Sequence, residues 1–315
     1  MTFGVRFAVL ALAALAAGSL AGTLVVPWLS GRVRGKVAPQ DQANALFHLR
    51  MAPTAISLVC GGLVTAAFLI FEPREPQETI GVLLVALSGL SVTLLVAGAA
   101  RWTLILRDTR RLGRRWMADA RPLSLPGVRI PAFAVRTDFP FVSVMGLFRP
   151  TLIVAESVLK TCTPEELTAI LAHEQGHIAR RDNLRRALIQ SAPDLLSWLP
   201  AARRLHEAWH VATEEAADDL AGRASERGRL LLAQALVTVA RLAPARIDPH
   251  DLPASALYRG ENIEQRVRRL LAPEPALAAI DRRARAALAA VLLAAAVASL
   301  GAVQLLVEAA VHSLP

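Results

Sequence analysis

His173-Glu174-Gln175-Gly176-His177 is the stretch on which the reading of this chain turns. Two imidazoles four residues apart lie one turn above another on the same helix face. That spacing lets both hold one zinc ion, with the intervening Glu174 beside the metal's open position. The residues upstream support a helix: Thr163-Pro164-Glu165-Glu166 reads as a capping box with proline at the first helical position, and Leu167, Ile170 and Leu171 follow at helical spacing. Gly176 weakens such a helix by about 1 kcal/mol relative to alanine. A glycine beside a metal would leave room for a substrate.

The same pattern occurs again at His206-Glu207-Ala208-Trp209-His210, so the motif alone decides little. The nearest third ligands for this second match, Glu214 and Glu215, read as lying on the same helix. His206 and Glu214 are then roughly 12 Å apart along the axis, too far for one tetrahedral ion. After His177, Pro193 and Pro200 break the chain, so the later helix can turn back and present Glu214 from a separate element. The expected ligands are therefore His173, His177 and Glu214. Glu174 is the expected catalytic base toward water. Asp218 shares a helix face with Glu214 and is the candidate partner for a ligand histidine's free N–H. Asp182 reads as a cap for the following helix. His210, one turn before Glu214, and Tyr258, the only tyrosine, are candidates for stabilising an oxyanion. Phe141, Val142, Ser143, Val144, Met145 and Gly146 read either as an edge strand that pairs with an extended peptide or as an ordinary core strand.

The rest of the chain belongs to a membrane protein. Of 315 residues, 54 % are hydrophobic and 5 % aromatic, too apolar for an ordinary soluble enzyme. Apolar runs at about 7–28, 52–71, 80–100 and 286–307 are each long enough to cross a bilayer. The first also resembles a signal peptide, but its length and its continuation through Val25-Val26-Pro27-Trp28 favour a span. The net charge of +9 is carried almost wholly by arginines flanking these runs, which suits membrane orientation rather than nucleic-acid binding. Arg32, Arg34, Lys36 and Arg50 precede the second run, Arg101 to Arg115 follow the third, and Arg282, Arg283 and Arg285 precede the fourth. The positive-inside rule puts the N-terminus outside and the segment 101–285 in the cytoplasm of a bacterial inner-membrane, multi-pass protein. The expected organisation is three spans in 1–100, a catalytic domain in 101–285, and a fourth span with a short tail in 286–315. Val128 to Val135 and Phe141 to Ala155 read as β, and helices with a proline-bearing loop at Pro244 to Gly260 follow, so the domain is α+β in a mainly α chain. Cys60 and Cys162 imply no disulfide framework.

Phe148-Arg149-Pro150, Thr163 to Leu167, the first His-Glu motif, Arg180-Arg181-Asp182-Asn183, Glu214 to Asp218 and Ile263 to Leu271 together resemble the BlaR/MecR-type membrane metallopeptidases, the antibiotic-sensing receptor proteases of bacteria. The likeness covers about 30–310. It implies a gluzincin fold, a zinc cofactor and signalling by proteolysis, typically of a winged-helix transcriptional repressor. The chain departs from the receptors in ending at Pro315, without their penicillin-binding sensor domain, so sensing by an attached domain is not expected. A quality-control protease of HtpX or CAAX-processing type is the enzymatic alternative. A non-catalytic scaffold stabilised by zinc is the other, and Glu174 argues against it, since a structural site needs no base. The sequence is silent on oligomeric state.

Overall fold

The three N-terminal apolar runs form the long helices α1 (Phe3–Ser30), α2 (Pro39–Phe71) and α3 (Val82–Met117). Within them, Gly4–Leu29, Pro39–Ile70 and Val82–Met117 are long and apolar enough to cross a membrane. The computed structural model describes residues 3–30, 37–71, 81–137, 139–242 and 263–272. The run at 286–307, read as a fourth span, and Tyr258 lie outside the described residues. Both α2 and α3 outrun the expected spans. No proline or turn signal follows Ala100, so α3 continues through the arginines to Met117.

The chain divides into two compact units that ignore chain order. One gathers the apolar helices up to Trp102 with Ile189–Trp209, and the other holds the described residues of Thr103–Leu188 and His210–Leu277. In the first, small residues let helices touch: a Cβ on Gly22 would lie 2.6 Å from Pro53 Cα, so only glycine fits between α1 and α2 there. Serine hydroxyls seal the contacts, Ser57 donating to Leu15 O at 2.6 Å and Ser88 to Val9 O at 2.8 Å.

The second unit is built on a four-stranded sheet in the order β1-β2-β4-β3, with β1 Arg121–Pro122, β2 Ala132–Val135, β3 Val142–Met145 and β4 Thr151–Ala155. Only the β2–β4 pair is parallel. The first expected β stretch shortens because Val128 N–H donates to Leu125 O, closing a turn before Pro131. The second splits at Gly146, whose φ of +93° turns the chain between β3 and β4. The following helices are α4 (Glu156–Thr161), α5 (Pro164–Arg180) and α6 (Asp182–Ser191). After a 3-10 turn at Leu195–Trp198 come α7 (Pro200–Gly222), α8 (Gly228–Leu242) and α9 (Ile263–Leu271). The core beneath the sheet joins Phe141, Val142 and Ile153 to Ile170 of α5 and Leu232 and Leu236 of α8. Trp116 closes it, with its ring edge-on to Phe141 at 4.7 Å.

Gly146→Ala must place a Cβ against the Arg149 carbonyl at a positive φ. We expect it to lower unfolding stability by at least about 1 kcal/mol, read by chemical denaturation.

Candidate metal centre

The capping box that starts α5 is fully formed: Glu166 N–H donates to Thr163 Oγ1 at 3.2 Å, and Thr163 N–H to Glu166 Oε2 at 2.9 Å. The register so set turns His173, Glu174, Gly176 and His177 inward, and all four are buried. Gly176 serves a different end from the one its neighbourhood suggested. A Cβ there would come within 3.2 Å of Ala217 Cα, so the glycine makes room for α7 and not for a substrate. That close approach brings Glu214 to the two histidines.

His173 Nε2 and His177 Nε2 face each other at 3.1 Å, and each lies 3.6 Å from a carboxylate oxygen of Glu214. The three side chains offer ligand atoms all within 4.8 Å of one another. Donors about 2.0–2.1 Å from one tetrahedral zinc stand roughly 3.4 Å apart. The observed separations, taken to Oε2 of Glu214 for His173 and to Oε1 for His177, bracket that value.

Tautomers strengthen the fit. His173 Nδ1 lies 2.9 Å from Asp218 Oδ1, and His177 Nδ1 lies 2.7 Å from Asp182 Oδ2. A carboxylate accepts, so each Nδ1 carries a proton and each ring turns its Nε2 inward, as a lone pair once that nitrogen has lost its proton. Two converging lone pairs and a carboxylate suit a shared cation. The cluster is able to hold a metal ion and is consistent with zinc.

Asp182 was expected as a cap, and its carboxylate instead accepts from His177 Nδ1. Arg181, in the left-handed region at φ 53° and ψ 44°, ends α5 so abruptly that Asp182 folds back on His177. An arginine backs each aspartate. Arg180 Nη2 donates to Asp182 Oδ2 at 2.8 Å and to Thr213 O at 3.0 Å, tying α5 to α7. Arg266 of α9 grips Asp218 with two hydrogen bonds, of 2.6 and 2.9 Å, and its Nη1 lies 3.2 Å from Glu214 Oε2. Arg266 escaped the sequence reading, which saw only a basic helix. A signal was present, since Arg266 shares one helical stripe with Ile263, Val267 and Leu270, where a charge must be buried and paired.

The field here is negative. Burial works against a charged His173, yet hydrogen bonds to Asp218 and Glu214 outweigh it and raise its pKa to about 9. Burial lowers His177. Burial also opposes ionisation of Glu214, but His177, His173 and Arg266 hold it well below the usual carboxylate range. Glu174 is 1 % exposed, with its carboxyl group beside the backbone of Val144. Burial, with Glu214 adding to it, pushes its pKa up to about 8.

Of the remaining candidates, His210 Nδ1 lies 3.7 Å from Glu214 Oε1. His206 stacks on Trp209 instead of joining a ligand cluster, so the second motif match gathers no metal site among the described residues. β3 is the sheet edge, and its side chains are buried. Ala155 N–H donates to Phe141 O, so the backbone groups of alternate residues 142, 144 and 146 face outward. Asn183 Nδ2 already donates to two of those carbonyls, Val144 O at 2.7 Å and Gly146 O at 3.3 Å.

Residues 133–270 match the family model described as BlaR1 peptidase M56. Curated relatives include the protease HtpX of Psychrobacter sp. (strain PRwf-1), 30 % identical over 100 residues, or 28 % of this chain and 31 % of that protein. The HtpX homolog of Herminiimonas arsenicoxydans is 30 % identical over 123 residues, 36 % of this chain and 42 % of that protein. The homolog of Janthinobacterium sp. (strain Marseille) is 28 % identical with the same coverage. The chain thus spans well under half the length of these relatives. No solved structure matches.

Two outcomes follow from the geometry. Asp182→Ala frees the His177 ring, and zinc affinity measured by competition with a chromophoric chelator should fall about 10–100-fold. A proton on His173 competes with a cation for the same lone pair. With that pKa near 9, zinc affinity should rise from pH 6 to pH 8, by up to about tenfold per unit for each proton displaced, in calorimetric titrations.

Proposed function

With a BlaR1 peptidase M56 domain over residues 133–270 as the premise, we propose that the chain is a membrane-anchored zinc endopeptidase that cleaves a cytoplasmic or membrane-proximal protein in a regulatory circuit. One observation carries the reading: His173, His177 and Glu214 converge from two helices, with the buried carboxyl of Glu174 on the same helix face as the histidines. These three residues would hold the zinc, which supplies a Lewis acid for the scissile carbonyl and acidifies water.

Glu174 is the general base. Its carboxylate takes a proton from the attacking water and passes it to the nitrogen of the leaving amine. Asp218 and Asp182 keep Nδ1 of His173 and His177 protonated, so the ligand lone pairs stay inward. Arg266 and Arg180 hold the aspartates in turn. His210, beside Glu214, is our candidate for stabilising the oxyanion. An extended substrate adding to the outward edge of β3 must displace the Asn183 carboxamide from Val144 and Gly146.

We further propose four spans, an outer N-terminus, a cytoplasmic peptidase domain and a winged-helix repressor as the substrate. The HtpX relatives favour a second reading, a protease of membrane-protein quality control. Glu174→Gln should keep zinc and lose at least about 100-fold in turnover. Proteomic comparison of termini in cells carrying the wild type or Glu174→Gln decides between the readings. One repressor-derived product supports regulation, many membrane-protein fragments support quality control, and identical termini remove the peptidase.

A further inference from the structure

The chain break between α6 and α7 is held in a way that peptide hydrolysis does not require. Ile189–Trp209 belongs to the unit of apolar helices, and the elbow at 192–197 is tied to all three of them. Arg101 Nη2 of α3 donates to Ala192 O at 2.8 Å. Pro193 sits so close to α3 that a Cβ on Gly98 would come 2.8 Å from its own Cβ. Asp194, fully buried, accepts from Arg50 Nη1 at 2.9 Å and from the Thr54 hydroxyl at 2.6 Å, both on α2. Leu195 N–H donates to Ser19 Oγ of α1 at 2.9 Å.

Two of these tethers stand where an apolar stretch ends. Arg50 immediately precedes the charge-free stretch 51–71 of α2, and Arg101 immediately follows the charge-free stretch 81–100 of α3. The boundary between apolar and polar on both helices therefore passes through the elbow. Arg50 also donates to Ile189 O and the Ser197 hydroxyl, so the buried ion pair is wrapped in hydrogen bonds and tolerates a dry setting. The outward side carries Trp198, 60 % exposed, and Leu199, 40 % exposed. Arg203 and Arg204 follow, both exposed, in the first turns of α7.

Tryptophan prefers the boundary between lipid and water, and arginines beside it suit lipid phosphates. We propose that Ser197–Arg204 seats in the phospholipid headgroup layer, with Trp198 and Leu199 at the acyl boundary and Arg203 and Arg204 on anionic headgroups. The proposal stands apart from the peptidase reading, and its test does not use activity.

The full chain is reconstituted in phosphatidylcholine vesicles whose acyl chains carry bromine near the headgroup. Wild type and Trp198→Phe are compared for fluorescence quenching by the brominated lipid and by aqueous acrylamide. We expect the substitution to remove emission that the brominated lipid quenches and to leave acrylamide quenching nearly unchanged. Loss of acrylamide-quenched emission with lipid quenching intact overturns the proposal. Trp198→Tyr, read in the tryptophan band, repeats the test should the phenylalanine variant misfold. Adding phosphatidylglycerol should shield Trp198 further from acrylamide in the wild type, and not in Arg203→Gln/Arg204→Gln. Equal shielding in both overturns the role of the arginines.

Discussion

His173 Nε2 and His177 Nε2 face each other at 3.1 Å, a pairing that needs a proton or a cation between them. Nδ1 of His173 donates to Asp218 and Nδ1 of His177 to Asp182, which turns both Nε2 atoms inward, and much of the second unit serves to maintain that arrangement. The capping box sets the register of α5, Arg181 bends the chain so that Asp182 can reach back, and Gly176 lets α7 come near enough to deliver Glu214. Arg266 reaches in from α9 and grips the aspartate behind one ligand. A helix with no ligand of its own is thereby tied to the ligand set.

The two histidines are supported alike, each by an aspartate backed by an arginine, although the supports come from different places. Asp182 and Arg180 lie within five residues of His177, whereas Asp218 and Arg266 come from α7 and α9. The local pair holds one ligand through a backbone turn. The remote pair makes the other ligand depend on the packing of three helices. Buried charges this close are tolerable because each is paired and hydrogen-bonded, and removing one partner strands the rest.

Family likeness and geometry agree on the class of chemistry. The match over residues 133–270 covers β2 through α9, from the sheet to the helix that carries Arg266.

Local order was legible in the residues themselves. A proline-led capping box, apolar residues at helical spacing and charge-free runs of span length depend only on near neighbours, and α5, α8, α9 and the three apolar helices appear where those signals stand. Histidines four apart had to share a helix face, and the breaks at Pro193 and Pro200 left Glu214 free to return to them. Tertiary packing decided the rest, because it joins residues with no fixed spacing. The proximity of Gly176 to Ala217, the turning of Asp182 from cap to ligand support, the burial of Arg266 and the tie from Asp194 to α2 each need two distant segments in contact before either partner has a role.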